Sequence, residues 1–185
     1  LAVVLASVLI LTPQNNPSEN PKKILCSDKP CNVILIAVDT LGAKHLSLYG
    51  YQHQTSPFID EFFGQNGLVF KNAWSAATWT NPSFASIYTS QYPSQVFVER
   101  WGDLLSPNIP NFISSLRNNG VELKFITSHL EERKIEFIVG SVFNQTEINR
   151  SDENLQFLVT SQWLQDRHLN NNNRPFFLMT HNWTV

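Results

Sequence analysis

The sequence predicts an α/β fold, a three-layer α/β/α sandwich with a mostly parallel central sheet. Three observations predict it. An uncharged run, NVILIAV over residues 32 to 38, holds four β-branched residues among seven, and such a run is a strand covered on both faces. Apolar strand-like runs recur at 121 to 127 (VELKFIT) and 175 to 180 (PFFLMT). Helical stretches lie between them, and strands alternating with helices build a sheet flanked by helices.

The chain opens with LAVVLASVLILT, apolar and uncharged. Twelve residues fall short of the about 20 that span a bilayer. Residues 1–14 are expected to be a membrane anchor or the remnant of an export signal, a short buried strand or helix being the other reading. PQNNPSENPKK follows, with three prolines and no apolar residue. It has nothing to pack, so 15–31 reads as a linker and 32–185 as the folded part. Cys26 and Cys31 flank SDKP, a spacing that suits a small disulfide loop in an exported protein. A metal pair is the alternative, though no further cysteine or nearby histidine completes a four-ligand set.

Asp39 stands at the carboxyl end of the first strand, where ligands bind in open α/β sheets. A carboxylate there is a helix cap or a ligand. Helices are predicted over 56–66 (Ser56 as N-cap, Pro57 in the first turn, Gly67 as stop) and 82–90 (Thr80 or Asn81 as cap). Another is predicted over 109–119, opened by Pro110 and ended by Gly120. Residues 68–73 (LVFKNA) read as a short strand. A long helix over 153–169 places Leu155, Leu158, Val159, Trp163 and Leu169 on one face. Lys124, in mid-strand, is expected at an edge or in solvent. Charged residues make up 15% and apolar residues 42% of the chain, enough for a core and against wholesale disorder. The net charge of −2 argues against a nucleic-acid partner.

Four segments in order carry a family pattern: NVILIAVDTLGAKHLSLYG (32–50), YQHQTSPFIDEFFGQNGLVFKNAWS (51–75), TWTNPSFASIYTSQYP (78–93) and RPFFLMTHNW (174–183). Together they resemble the N-terminal part of the sulfatases, within the alkaline-phosphatase-like superfamily. The third segment falls where that family keeps its nucleophile signature, C/S-x-P-x-R followed by A-S-x-x-T-G-x-Y-P. The resemblance implies that Asp39 is the first aspartate of a metal-binding pair, with Thr40 in place of the second. It puts Thr80 at the nucleophile position and Phe84 where the signature has arginine, while Gly42 and Lys44 depart from the usual Arg and Asp. His129 and His181 are implied as substrate contacts. A divalent cation is implied at Asp39 and Thr80: Ca²⁺, Mg²⁺ or Mn²⁺, with Zn²⁺ not excluded.

The residues around Thr80 give a parallel argument. A helix start offers free N–H groups and a positive dipole end to a tetrahedral anion. The plainer role for a threonine there is the N-cap. Threonine also closes the sulfatase route through formylglycine, because its oxidation yields a ketone, whereas an alcohol can still form a covalent ester. The implied function is a metal-dependent hydrolase or group transferase acting on small-molecule, glycan-linked or lipid-linked sulfate or phosphate esters. It is expected membrane-anchored or exported. The alternative is a non-catalytic sulfatase-fold protein that binds an anionic ligand or a protein partner. The family's second metal cluster and catalytic lysine fall in its C-terminal half, so these 185 residues are expected to be an N-terminal portion, truncated and inactive alone.

Overall fold

The computed structural model describes residues 7–10, 31–100, 102–127, 143, 145–148 and 153–182. Strands β1 (Ser7–Ile10), β2 (Val33–Val38), β3 (Glu122–Thr127), β4 (Gln145–Ile148) and β5 (Phe176–Asn182) form one sheet in the order β1-β2-β5-β3-β4. The pairs β2–β5, β5–β3 and β3–β4 are parallel, and β1 lies antiparallel on β2. The helices are α1 (Pro57–Asn66), α2 (Thr80–Thr89), α3 (Pro93–Val96), α4 (Phe112–Asn118) and α5 (Glu153–Leu169).

Strand alternation sorts the core into two layers. On one face, Leu35 and Ala37 of β2, Phe177 and Met179 of β5, and Leu123 and Phe125 of β3 pack against Phe84 and Tyr88 of α2 and Ile113 of α4. On the other, Ile34, Phe176, Leu178 and Ile126 meet Val159, Trp163 and Leu164 of α5. The three-layer sandwich with a mostly parallel sheet is the architecture the sequence predicts. Burying these apolar side chains on both faces is what drives the layers together, at roughly 1.5–3 kcal/mol for each large one.

Several elements differ from expectation. Residues 68–73 are not a strand. Leu68 and Phe70 are exposed, and the Phe70 carbonyl accepts from the Tyr49 hydroxyl at 3.2 Å rather than from a neighbouring strand. The third predicted helix starts at Phe112, because Asn111 caps it by accepting from the Ser114 N–H at 2.8 Å. On α5, Leu158 and Leu169 face solvent while Gln156 and Arg167 are buried. Arg167 earns that place through ring contacts, 5.0 Å from Trp163 and 4.7 Å from Phe176, and an ion pair with Glu122. Lys124 is buried rather than at an edge, since β3 is flanked by β5 and β4 and covered by helices.

Within the segment expected as an anchor or signal, Ser7–Ile10 form the antiparallel strand β1 on β2. Among the described residues no helix is long and apolar enough to cross a membrane. Cys31 is disulfide-bonded. The sequence has one other cysteine, Cys26, which lies outside the described residues.

The two-layer core gives a contrast on stability. Leu178, fully buried in the middle strand, should lose about 2–5 kcal/mol on change to alanine. The exposed Leu158 should lose no more than about 0.5 kcal/mol. Denaturant unfolding of the full-length protein measures both, and equal losses would contradict the assignment of faces.

Candidate active site

Alternation along β2 and β5 builds the site. Residues 35, 37 and 39 follow one face, as do 177, 179 and 181, and the parallel register sets Ala37 opposite His181. Asp39 lies one step beyond the end of β2, and its N–H donates to the Asn182 carbonyl at 2.7 Å. Asp39 and His181 therefore share the face that α2 covers. Phe84 and Tyr88 hold α2 there, with the Phe84 ring edge-on to His181 at 5.0 Å.

That packing brings the start of α2 over Asp39. Trp79 is extended and caps the helix, and Thr80 is the first helical residue. Thr80 Oγ1 donates to Asp39 Oδ2 at 3.3 Å, across 41 residues of sequence. The expectation that Thr80 or Asn81 is the N-cap is thus corrected: the cap is Trp79, with no side-chain cap bond. The Thr80 hydroxyl is spent on Asp39 instead. Below it, Ser83 Oγ donates to the Trp79 carbonyl at 2.8 Å and meets Ser75 Oγ at 2.9 Å, fixing the turn into the helix. The first-turn amides of Thr80 and Asn81 have no carbonyl a turn earlier, so the positive end of α2 opens at this point.

A cleft of about 20 Å³ is lined by Asp39, Thr40, Trp79, Thr80, Phe84 and His181, among others. That is room for roughly one water-sized or ion-sized occupant. Thr40 adopts φ +57°, a left-handed conformation that costs a β-branched residue about 1–3 kcal/mol. His181 is 1% exposed, and its Nε2 lies 3.8 Å from Asp39 Oδ2. Burial pulls the imidazole pKa down to about 4, with the Asp39 charge opposing. At neutral pH His181 is neutral, so this contact is not an ion pair. It leaves the charge of Asp39 without a counter-charge from His181.

The donor chemistry fits part of a divalent-cation site. Asp39, Thr80 and His181 offer a carboxylate, a hydroxyl and an imidazole around one small cleft. Zn²⁺ takes about four ligands and Ca²⁺ six to eight. Among the described residues no three His, Cys, Asp or Glu side chains converge, so a cation held here would need further ligands from elsewhere in the protein, from solvent or from substrate.

Of the residues singled out in the sequence, Asp39, Thr80 and His181 come together, and His129 lies outside the described residues. Trp79 and Ser83 were missed. Ser83 and Phe84 follow Thr80 at helical spacings of three and four, a signal that puts all three on one face.

The sulfatase profile matches residues 31–182. The chain belongs to the sulfatase family. N-acetylgalactosamine-6-O-sulfatase of Bacteroides thetaiotaomicron is 40% identical over 67 residues, 36% of this chain and 13% of that protein. Phosphoethanolamine transferase EptA of Helicobacter pylori is 26% identical over 120 residues, 64% of this chain and 23% of that protein. This sulfatase-family chain thus spans less than a quarter of the length of these relatives. Among solved structures, a protein in complex with its substrate D-glucosamine-2-N,6-O-disulfate superposes with TM-score 0.67 at 18% identity, covering 84% of this chain and 34% of that one. The phosphonate monoester hydrolase of Agrobacterium radiobacter gives 0.64 at 16% identity over 84% and 41%. The zinc complex of the C-terminal periplasmic domain of EcEptC from Escherichia coli gives 0.57 at 18% over 85% and 44%. These likenesses show the alkaline-phosphatase-like fold.

The depressed pKa of His181 makes a directional prediction for the chelated protein. The unfolded chain takes up a proton near pH 6.5, and the buried imidazole does so only near pH 4. This contribution is fully present above about pH 6.5 and is lost as pH falls toward 4, by on the order of 3 kcal/mol. His181→Gln should flatten that part of the pH–stability curve. Parallel curves for the two proteins would contradict it.

Proposed function

We propose that the full-length protein is an exported, metal-dependent transferase or hydrolase of phosphate or sulfate esters, with Thr80 as its nucleophile. The observation that carries this reading is the Thr80 hydroxyl at the first position of α2, 3.3 Å from Asp39 Oδ2. The relatives comprise sulfatases and a phosphoethanolamine transferase, and an unmodified threonine favours phosphorus over sulfur. The disulfide-bonded Cys31 supports an oxidising compartment.

In this reading Asp39 and Thr80 hold a divalent cation, Ca²⁺, Mg²⁺, Mn²⁺ or Zn²⁺, together with ligands from elsewhere. Such a cation supplies Lewis-acid polarisation of the ester and lowers the pKa of the hydroxyl. Thr80 Oγ1 attacks the central atom in line, a new O–P or O–S bond forms, and the ester bond to the departing alcohol breaks. The Thr80 hydroxyl proton passes to solvent as the bond forms, and the alkoxide released takes a proton from solvent. The covalent threonine ester then passes its group to water or to an acceptor hydroxyl, whose proton returns to the Thr80 oxygen. The first-turn amides and dipole of α2 stabilise the oxyanion. His181 is too buried to offer its ring freely to substrate. We assign it to supporting Asp39 as a neutral imidazole, and His129 to substrate binding.

One observation favours a second reading. Among the described residues lining the cleft Asp39 is the single carboxylate, with Thr40 beside it, and Phe84 stands where the sulfatase signature has arginine. A non-catalytic protein that binds an anionic ligand or a partner would have that composition.

Assays of matched aryl phosphate and aryl sulfate, with added divalent metal, separate the readings. Full-length protein should turn over the phosphate faster. Thr80→Ala should remove nearly all turnover while costing no more than about 1 kcal/mol of stability, and Thr80→Ser should retain measurable activity. A clear preference for sulfate contradicts the phosphoester leaning, and undiminished Thr80→Ala activity removes Thr80 from the mechanism. Absence of turnover with retained anion binding supports the second reading.

A further inference from the structure

Gln156 lies in the first turn of α5, 4% exposed, on the face of the helix that packs apolar side chains onto the sheet. Leucine would fill such a place without the cost of burying an amide. What Gln156 does there is legible from its contacts. Its two Nε2 hydrogens are shared among three acceptors, the Ile126 carbonyl at 3.3 Å, the His181 carbonyl at 3.2 Å and Asn182 Oδ1 at 2.5 Å. The three acceptors stand at the carboxyl ends of two neighbouring strands, β3 and β5.

The β5 end bears on the cleft through His181, and β3 is fastened to it. The His181 carbonyl also accepts from Thr127 Oγ1 at 3.1 Å, so β3 and β5 are tied on both faces of the sheet. Asn182, held by its side chain, presents its carbonyl to the Asp39 N–H at 2.7 Å. The path from α5 to the site is therefore short and made of hydrogen bonds: Gln156 to Asn182, Asn182 to Asp39, Asp39 to Thr80. Gln156 approaches from the α5 side and Thr80 from the α2 side.

We infer that Gln156 is a positioning residue for the site, setting Asp39 and His181 by clamping the carboxyl ends of β3 and β5 from the opposite face of the sheet. The clamp itself follows from the geometry, and its kinetic consequence rests on the reading of Thr80 and Asp39 as catalytic groups. Gln156 touches no reacting atom. Its removal should loosen the placement of Asp39 while leaving the two-layer core in place.

The test uses the full-length protein with Gln156→Met, which keeps volume and deletes both donors, and Gln156→Glu, which keeps shape and sets a carboxylate against three oxygens. Amide hydrogen exchange is read at Asp39, with Leu123 and Leu178 as core references. Both variants should stay folded, with exchange at the Asp39 amide about tenfold faster or more and the references unchanged. With a turned-over aryl ester, kcat should fall about 10- to 100-fold with KM close to wild type, more for Gln156→Glu than for Gln156→Met. Unchanged Asp39 exchange in folded Gln156→Met overturns the inference. So does a loss of protection shared equally by Leu123, Leu178 and Asp39, which makes Gln156 a core residue only. Unchanged kcat in a folded variant overturns the positioning role. If the wild type turns over neither ester, the proposed function fails by itself and exchange alone decides the clamp.

Discussion

The parallel pairing of β2 with β5 is the constraint on which the site depends, because strand side chains alternate with a period of two. With Ala37 opposite His181, Asp39 and His181 fall on one face together. A slip of one residue would turn one of them toward α5 and take the pair apart. The Asp39 N–H bond to the Asn182 carbonyl carries the ladder one step past the strand and holds that register at the candidate site. The apolar layer of Phe84, Tyr88, Ala37 and Met179 then lowers the start of α2 onto the same spot. Core packing and site assembly are one event here.

The electrostatics follow from that packing. Pressing Phe84 against His181 excludes water from the imidazole, and a desolvated imidazole stays neutral. Asp39 is therefore left without a counter-charge from His181, close to the positive end of α2 and with the Thr80 hydroxyl as donor. An arginine at position 84 would place a second positive charge beside this carboxylate. Phe84 removes that option and provides burial instead. The candidate site thus sets a carboxylate beside the positive end of a helix, the pairing that the proposed metal-assisted ester chemistry would use.

Much of this was legible in the sequence, for identifiable reasons. NVILIAV, VELKFIT and PFFLMT are uniform enough to be strands whatever surrounds them, and Asp39 at the end of the first points to the carboxyl edge. Thr80, with Pro82 behind it, marks a helix start. What failed to read correctly depended on partners distant in sequence. LVFKNA has the composition of a strand but pairs with no strand among the described residues. Lys124 carries a charge that would place it in solvent, yet its strand is interior. Leu158 and Leu169 fit an apolar stripe, while α5 instead buries Gln156 and Arg167, because carbonyl ends and aromatic rings await them. The N-cap of α2 is Trp79 rather than Thr80, a difference created when Asp39 takes the hydroxyl. Polar residues that serve tertiary contacts leave no periodic trace.

The claim that Thr80 is a nucleophile set up by Asp39 is tested most directly by trapping the covalent state. Full-length protein mixed with a phosphate ester and divalent metal is quenched in acid during turnover, and the peptide spanning α2 is sequenced by mass spectrometry. The account predicts a phosphoryl group on Thr80, absent in Thr80→Ala and in wild type mixed with chelator. Sustained turnover with α2 unmodified, or with the phosphoryl group on another residue, would contradict it.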